Sequence, residues 1–346
     1  MKINDLTHAG HAEKLQWDDY VKHHPNGTIY HSIAWKNIVE QHFSKKTHYL
    51  YIENKQQIEA VLPLVFFKSV LFGEFIVSFP YVNYGGMLYS NEQAKQMLLV
   101  AAKSLLEASH SEFIELRSMQ KDEFSLPVKD KKVTYYLSLP DNEEALMKQF
   151  KAKLRSQIRR PIKEGMYAKV FSQDGLDYFY EIFATKMRDL GTPVYDKTFF
   201  STILSELPQN SHIIIVFSKD DVPVGSAFII HNKERMEIPW AATLREYDRL
   251  SPNMLLYFEV LKYAMAQKCT VFDFGRCTKD SGTYRFKKQW GGEEKTLYWY
   301  YLLNKGQVLP EVNPNNPKYK MAIKLWKKLP LSLSKLIGPT IVKHIP

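Results

Sequence analysis

The sequence is poor in cysteine and has no long apolar run, and these two absences exclude several classes of protein. Its two cysteines, Cys269 and Cys277, are too few for a disulfide framework. The N-terminus lacks the apolar core of a signal peptide, and the most apolar run, VLPLVFF at 61–67, is too short to span a bilayer. We therefore expect the reducing cytoplasm as the compartment.

Nucleotide-binding and metal-binding motifs are also missing. The sequence has no GxGxxG or GxxxxGK[ST], which leaves the dinucleotide and P-loop hypotheses without support. Eleven histidines show no HExxH or CxxC…H spacing, so we predict no metal site. No histidine lies near Cys277 in sequence, and we interpret both cysteines as small buried residues.

The composition is that of a large, basic, globular protein. With 346 residues the chain fits about two domains, and 45% hydrophobic residues are ample for two cores. Forty-seven Lys and Arg against 37 Asp and Glu give a formal charge of +10. This balance favours an anionic partner, such as a phosphorylated ligand, a nucleic acid or an anionic membrane face.

The two halves of the chain repeat one pattern of elements. YLYIENKQQIEAVLPLVFF (49–67) is typical of a hairpin, and it is followed by EFIVSFP, a helix at 91–109 and the strand FIELRS. HIIIVFSKDDVPVGSAFII (212–230) is again a hairpin, followed by RMEIPWAAT, a helix at 251–268 and the strand TVFDFGR. Antiparallel hairpins with a helical connection predict an α/β (α+β) protein of two units, each with a mixed sheet and flanking helices.

A basic amphipathic helix is predicted at 141–165, between the two halves. Met147, Phe150, Leu154 and Ile158 recur at helical spacing, with Asp141 as a plausible N-cap and Pro161 as the end or kink. Seven cations and no acid occur from 148 to 163. Arg155 and Arg159 stand at i and i+4 on one face, where they could hold a phosphate or a carboxylate; a solvated helix face is the alternative.

A second candidate segment is SFPYVNYGGMLY at 78–89. Paired glycines let the backbone approach a ligand or form a bulge, and the tyrosines offer hydroxyls and flat apolar faces. A hairpin packed by tyrosines is the alternative interpretation. The residues concerned are Tyr81, Asn83, Tyr84, Gly85 and Gly86.

The densest stretch is FDFGRCTKDSGTYRFKKQWGG at 272–292, where a strand runs into a cationic loop and a short helix. In a helix at 283–290, Phe286 and Trp290 define the core face, Lys287 lies beside it and Lys288 points away. Asp280, Ser281 or Thr283 could cap this helix. We therefore expect Lys287 to reach a cleft at the end of the strand, where it would handle negative charge.

These motifs carry a resemblance to a known family. FDFGR followed by SGTYRFKKQWGGE resembles the second domain of the FemAB family, the aminoacyltransferases of peptidoglycan interpeptide bridges and their relatives. SFPYVNYGG and LRSQIRRPIKEG are similar to its first-domain motif and its basic interdomain helix, and the tail KLWKKLPLSLSKLIGP resembles a subgroup associated with exopolysaccharide and exosortase loci. The resemblance implies two tandem GNAT-like domains, predicted at 1–140 and 141–310, followed by a basic tail at 311–346.

The resemblance also implies an activity: transfer of an activated acyl or aminoacyl group to an amine of a peptidoglycan or polysaccharide precursor. The family's functional lysine corresponds to Lys287, and a fixed cation there would stabilise the oxyanion of acyl transfer. The predicted catalytic residues are Lys287, Arg276 and Tyr284. The predicted substrate-binding residues are Tyr81, Asn83, Tyr84, Gly85, Gly86, Arg155, Arg159, Trp240, Asp273 and Ser281.

The donor and the partners stay open at this point. No bound cofactor is predicted, and the donor is either aminoacyl-tRNA or acyl-CoA; RLSPNMLL, with Ser251 and Pro252 at a helix start, lacks the glycine-rich pyrophosphate loop of ordinary acyl-CoA-dependent enzymes. The acceptor is expected to be an anionic precursor. A peripheral contact with the inner face of the membrane through 318–338 is one option, and a helix capping the second domain is the other. The alternatives to a FemAB-like transferase are an ordinary acyl-CoA-dependent N-acetyltransferase and a non-catalytic nucleic-acid or membrane-surface binding protein.

Overall fold

The computed structural model describes residues 1–69, 73–121, 124–310 and 317–345, without the side chains of His8 and of residues 317–319. Strands and helices follow the repeat that the hydrophobic pattern predicts. The strands are β1 Lys2–Asp5, β2 Thr47–Asn54, β3 Gln57–Ser69, β4 Gly73–Val77, β5 Leu88–Tyr89, β6 Phe113–Ser118, β7 Val128–Ser138, β8 Tyr167–Phe171, β9 Ser211–Phe217, β10 Pro223–Asn232, β11 Arg235–Thr243, β12 Val271–Asp273, β13 Cys277–Thr278 and β14 Glu293–Leu303.

Helices alternate with these strands and carry most of the amphipathic segments. They are α1 His11–His23, α2 Ile33–Phe43, α3 Glu92–Ala108, α4 Glu143–Gln149, α5 Ala152–Lys163, α6 Leu176–Leu190, α7 Lys197–Glu206, α8 Pro252–Ala266, α9 Gly282–Lys288, α10 Pro317–Trp326 and α11 Leu331–Val342. The predicted fold class, mixed α/β with largely antiparallel sheets, is confirmed.

The chain divides into two compact units that are not continuous in sequence. Unit 1 comprises 1–132, 296–311 and 344–346, and unit 2 comprises 133–295 and 312–343. Residues Tyr298–Leu303 of β14 pair with β6 in antiparallel register, which places this part of the strand in unit 1. The predicted domains 1–140, 141–310 and 311–346 are drawn differently and stay a prediction.

Unit 1 is a mixed sheet with the strand order β1-β2-β3-β4-β6-β14. The β2–β3 hairpin is antiparallel, whereas β4 and β6 are parallel because α3 carries the chain back between them. One face of the sheet packs on α3 through Leu98, Ala102 and Leu106, all of them buried. Burial of this apolar stripe is what holds α3 to the sheet.

Unit 2 has the strand order β7-β12-β11-β10-β9-β8 and repeats the arrangement of unit 1. The β9–β10 hairpin is antiparallel, and β11 is parallel to β12 because α8 forms the crossover between them. The core contains α8 almost all round, with Leu256, Val260 and Leu261 completely buried, together with both cysteines, as predicted.

The single helix predicted at 141–165 is wrong in its middle. The chain leaves helical geometry at Phe150 and Lys151, so that α4 and α5 are separate helices. Phe150 is buried against the edge of the Trp290 ring, 5.5 Å between centroids, and the Arg155 guanidinium donates to the Phe150 carbonyl at 2.6 Å. The packing of Phe150 on Trp290 and the hydrogen bond from Arg155 to the Phe150 carbonyl thus stabilise the break between α4 and α5.

The predicted ends of this helix and of α8 need correction as well. Asn142, not Asp141, caps α4 by accepting from the Ala145 N–H. Pro161 does not end α5, which continues to Lys163, because a proline in the last turn removes only one intrahelical bond. Ser251, which its place before Pro252 predicts to be the N-cap of α8, adopts a left-handed conformation, and its side chain makes no capping hydrogen bond.

Candidate functional site

Lys287 of α9 lies near the end of β12 and is buried in unit 2, with 7% of the residue exposed. Its Nζ donates to the Gly275 carbonyl at 2.6 Å and to the Arg276 carbonyl at 3.1 Å. An ammonium has three N–H donors, so one remains after these two bonds. The predicted Lys287 is therefore a cation tied to the loop after β12, more deeply buried than the cleft-lining side chain that the sequence indicated.

The environment of Lys287 makes its charge costly. Its pKa is lowered from 10.5 to about 8, chiefly by burial and in part by the neighbouring Arg276 cation, whereas Cys277, Asp273 and Glu237 act in the opposite direction. Desolvation disfavours the charged form of a lysine, and carbonyl acceptors offset only part of that cost. The group therefore titrates close to physiological pH, as groups in active sites often do.

The loop that receives Lys287 is built by Asp273, which is completely buried. Its Oδ1 accepts hydrogen bonds from the Gly275 N–H at 2.8 Å and from the Thr134 hydroxyl. Gly275 has φ +73°, so a side chain there would be strained, and this turn directs the Gly275 carbonyl at Lys287. Asp273, predicted to bind substrate, in the structure fixes the loop.

Helix α9 positions Lys287 from the other side. Ser281 caps it by accepting from the Tyr284 N–H at 3.1 Å, as one of the predicted caps, and the helix runs over 282–288 and not 283–290. Trp290, 1% exposed, packs against Phe274 and Tyr257 just past the helix end. These contacts fix the rotation of α9, which buries Lys287 and leaves Lys288 exposed, as predicted.

Tyr284 belongs to a hydrogen-bonded group centred on Glu294. The hydroxyls of Tyr284 and Tyr135 donate to the same carboxylate oxygen, at 2.7 and 2.9 Å, and Lys279 lies 3.5 Å from the other oxygen. These hydrogen bonds, with that of Tyr284 the largest, lower the pKa of Glu294, while burial raises the pKa of Tyr135. The O–H of Tyr284 is therefore committed to a carboxylate. Sequence reasoning missed Glu294 because it lies outside the short helix, in the strand that follows.

The remaining residues predicted in unit 2 lie in three different places. Arg276 is half-buried in the loop beside Lys287. On α5, Arg155 donates a hydrogen bond to the Phe150 carbonyl, whereas Arg159 is exposed. Trp240 is 8% exposed and packs edge-on against the ring of Phe200, with 5.2 Å between centroids. The structure thus brings Lys287, Arg276 and Asp273 together and puts Trp240 in an aromatic cluster.

The predicted segment of unit 1 presents less aromatic surface than its sequence suggests. Tyr81 is buried and stacks on Phe43 at 3.9 Å, and Tyr84 is 1% exposed. From 78 to 86 only Asn83 and Gly85 are half-exposed. The tyrosines thus pack the segment, and its accessible groups are an amide side chain and the main chain.

A polar cavity of about 450 Å³ lies in unit 2 beside α9. Gln157 of α5, Lys186 of α6, Asn253 at the start of α8 and Gln289 after α9 contribute to its lining, together with the buried Thr243. Within the described part of the chain, Lys186, Thr243 and Asn253 make no side-chain hydrogen bond or ion pair. With Asp248 also in the lining, the cavity offers a cation, a carboxylate, hydroxyls and amides next to the helix that carries Lys287.

Comparisons with known proteins agree along nearly the whole chain. A family model described as an acetyltransferase (GNAT) domain matches residues 148–288, the part that contains Lys287. A lipid II:glycine glycyltransferase of Staphylococcus aureus is 20% identical over an alignment 425 positions long, gaps included, which covers 92% of this chain and 98% of the relative. The chain is thus similar to FemAB-like proteins of the GNAT fold.

Solved structures show the FemAB-like fold as well. The crystal structure of FemX has a TM-score of 0.65 at 17% identity, covering 93% of this chain and all of the other. A tandem GNAT protein from the clavulanic acid biosynthesis pathway has a TM-score of 0.53 at 8% identity, covering 87% and 98%. The predicted resemblance to the FemAB family and the predicted tandem GNAT-like fold are thereby confirmed.

Proposed function

We propose that this FemAB-like protein is an N-acyltransferase that moves an activated acyl or aminoacyl group onto an amine of a cell-envelope precursor. The observation that carries the proposal is Lys287, a buried cation with one uncommitted N–H at the end of β12. Family resemblance assigns the functional lysine to the same position. The similarity to a lipid II:glycine glycyltransferase over 92% of the chain supports the class of acceptor.

The reaction needs a nucleophile, an activated ester and a way to stabilise negative charge. The acceptor nitrogen attacks the ester carbonyl carbon, a C–N bond forms, and the carbonyl electron pair moves onto oxygen. When the tetrahedral intermediate collapses, the bond to the leaving oxygen or sulfur breaks and the amine proton passes to the leaving group. The third N–H of Lys287 would stabilise the oxyanion, an interaction stronger in the transition state than in the ground state.

The predicted residues around Lys287 take different roles in this proposal. Arg276 would bind an anionic part of a substrate, since its side chain is half-buried next to the lysine. Tyr284 would orient Glu294 and not donate a proton to substrate, because its O–H is already given to that carboxylate. Asp273 and Ser281 would position the loop and α9.

We assign the donor to the cavity beside α9. The candidate donors are aminoacyl-tRNA and acyl-CoA, and the start of α8 bears on the choice. In place of a glycine-rich loop the chain has Ser251 with φ +59° and then Pro252, which has no N–H to offer a pyrophosphate. This local structure favours aminoacyl-tRNA over acyl-CoA.

Two measurements test the proposal. Thermal shift against acyl-CoAs, aminoacyl-tRNA and lipid-linked or nucleotide-linked peptidoglycan precursors should show stabilisation by aminoacyl-tRNA and by a precursor. Stabilisation by acyl-CoA alone would favour the ordinary N-acetyltransferase. Lys287→Met should lower transfer by about 10²–10³-fold, as loss of an oxyanion donor does; a folded variant with full activity would contradict the catalytic role.

We further propose that α10 and α11 contact an anionic membrane surface. None of the helices in the described ranges is long and apolar enough to cross a bilayer. Residues 312–346 carry seven lysines and no acid, and Met321, Leu325 and Leu336 are 58, 61 and 73% exposed. Helix α11 also packs on α6, since Lys335 pairs with Glu181, so capping of unit 2 and membrane contact are compatible.

A further inference from the structure

An ion pair is buried beneath the 78–86 segment of unit 1. Arg117 and Glu115 of β6 are 2% and 7% exposed, and the Arg117 Nε lies 2.8 Å from Glu115 Oε1. The Tyr301 hydroxyl donates to Glu115 Oε2 at 2.7 Å, and the guanidinium lies over the Trp299 ring at 4.6 Å. In the sequence, the sign of this ion pair is the presence of Glu115 and Arg117 in the otherwise largely apolar strand FIELRS.

Arg117 bonds to the segment through both its side chain and its main chain. Nη1 donates to the carbonyls of Phe79 and Val82, at 3.3 and 3.2 Å. The Arg117 N–H donates to Ser78 Oγ at 2.8 Å, and its carbonyl accepts from the Gly85 N–H at 3.3 Å. One residue of a regular strand therefore holds four points along an irregular loop.

The backbone of the segment needs such support. Phe79 and Tyr81 have φ +55° and +69°, in the left-handed region that bulky residues avoid. Strained conformations of this kind persist only where the surrounding structure over-determines them, and they concentrate at functional sites. At the other end of the segment, the buried His31 donates from Nε2 to the Gly86 carbonyl at 3.0 Å, a tautomer set by the Thr28 N–H that Nδ1 accepts.

We propose that Arg117 is a positioning residue for the acyl transfer, which fixes the main chain around Asn83 and Gly85 so that these half-exposed groups meet the acceptor. The inference rests on the proposed function. A buried ion pair adds little net stability, because desolvation offsets the attraction. What the planar guanidinium supplies is orientation, through several donors in fixed directions at once.

The test compares Arg117→Lys and Arg117→Met with wild type in the full chain. We expect acceptor KM to rise at least about tenfold, the effect of losing one charge-assisted hydrogen bond, while kcat and donor KM stay within about twofold. Amide exchange of the peptide covering 78–88 should accelerate at least about tenfold, without comparable change in the rest of unit 1. Arg188→Lys is the matched control, since Arg188 pairs with Asp189 in unit 2 and should change neither measurement.

Two outcomes would overturn the positioning role. One is a variant in which exchange rises evenly throughout unit 1 and acceptor KM is unchanged, which is what a purely structural residue gives. The other is an Arg117→Lys variant in which amide exchange of the 78–88 peptide is the same as in wild type. If neither Arg117 variant folds, Glu115→Gln replaces them, because it keeps the shape of the side chain and weakens the ion pair. Its acceptor KM and amide exchange are then compared with those of wild type. If wild type transfers no acyl group to any acceptor, the proposed function is wrong, and amide exchange alone decides the role of Arg117.

Discussion

At the scale of single residues, Lys287 is the most informative side chain because its charge is held where water is excluded. Its pKa is lowered to about 8, chiefly by burial, and two loop carbonyls accept hydrogen bonds from its ammonium group. At neutral pH the group is still mainly an ammonium, which suits a residue that stabilises an oxyanion. Above pH 8 it becomes a neutral amine and loses most of that capacity.

The pH dependence of transfer should therefore report on Lys287. We compare wild type with Lys287→Arg, whose guanidinium stays charged at all accessible pH values. The ratio of wild-type to variant rate should fall roughly tenfold between pH 7 and pH 9, with its midpoint near 8. The comparison cancels the titration of the acceptor amine. A constant ratio would show that the charge of Lys287 is irrelevant, and a rising ratio would make it a general base.

The same pKa shift predicts how stability depends on pH. The folded-state pKa, about 8, is below the ordinary value of 10.5, so the unfolded chain binds the proton more tightly. The cost of the buried charge is present in full below pH 8 and disappears by about pH 10.5. The free energy of unfolding of wild type should thus rise over this range relative to Lys287→Met by about 3 kcal/mol, measured by urea unfolding. A pH-independent difference would contradict the buried, charged state.

At the scale of elements, two glycines show which segments depend on backbone conformation. Gly86 has φ +94°, and a Cβ there would lie 3.3 Å from the Arg117 carbonyl oxygen. Gly282, the first residue of α9, has no positive φ, and a Cβ added there would meet no atom within 4 Å among the described residues. A side chain at Gly86 would therefore strain the 78–86 segment, whereas α9 can accept one at Gly282.

Alanine at these two positions should have opposite effects. Gly86→Ala should destabilise unit 1 by about 1–3 kcal/mol, through the left-handed strain and the close carbonyl. Gly282→Ala should stabilise α9 by up to about 1 kcal/mol, because alanine loses less backbone entropy in a helix. Thermal unfolding with peptide-resolved hydrogen exchange assigns each change to its unit. Equal effects of the two substitutions would contradict this account.

At the scale of the whole molecule, the excess positive charge is concentrated in a few segments. The described lysines of α10 and its C-terminal turn, Lys320, Lys324, Lys327 and Lys328, form no ion pair with other described residues and are exposed. Exposed aliphatic side chains alternate with them along the same helix. Cations beside exposed apolar groups fit an anionic lipid surface better than they fit water alone.

Vesicle binding tests the membrane proposal. Replacing Lys324, Lys327 and Lys328 with Gln should weaken binding to phosphatidylglycerol vesicles by about 3 kcal/mol, roughly a hundredfold, and leave binding to neutral vesicles unchanged. Gln at three exposed lysines of unit 1, Lys22, Lys55 and Lys121, is the matched control and should have little effect. If the two triple variants lose vesicle affinity equally, net charge alone explains the binding, and a specific membrane-binding surface on α10 is contradicted.

Much of the fold was predictable from local sequence. Hydrophobic periodicity and turn residues predicted both hairpins, helices α3 and α8 and the repeat of the two halves, because alternation and helical spacing are local consequences of burying one face. The 272–292 motif likewise predicted the family and the side of α9 on which Lys287 lies. Its catalytic role, and those of the other predicted residues, stay proposals.

Tertiary structure decided what local pattern could not. The apolar spacing of Met147, Phe150, Leu154 and Ile158 is continuous, yet the chain breaks at Phe150 because that ring packs against Trp290, 140 positions later. Tyr81 and Tyr84 look accessible in sequence but are buried by neighbours from other elements. Helical geometry placed Lys287 beside the core, but only the turn built by Asp273 brings the two carbonyls that bury it and shift its pKa. Sequence determined which segments form strands and helices; long-range packing determined which of their polar groups are withdrawn from water, because burial depends on residues that lie far apart along the chain.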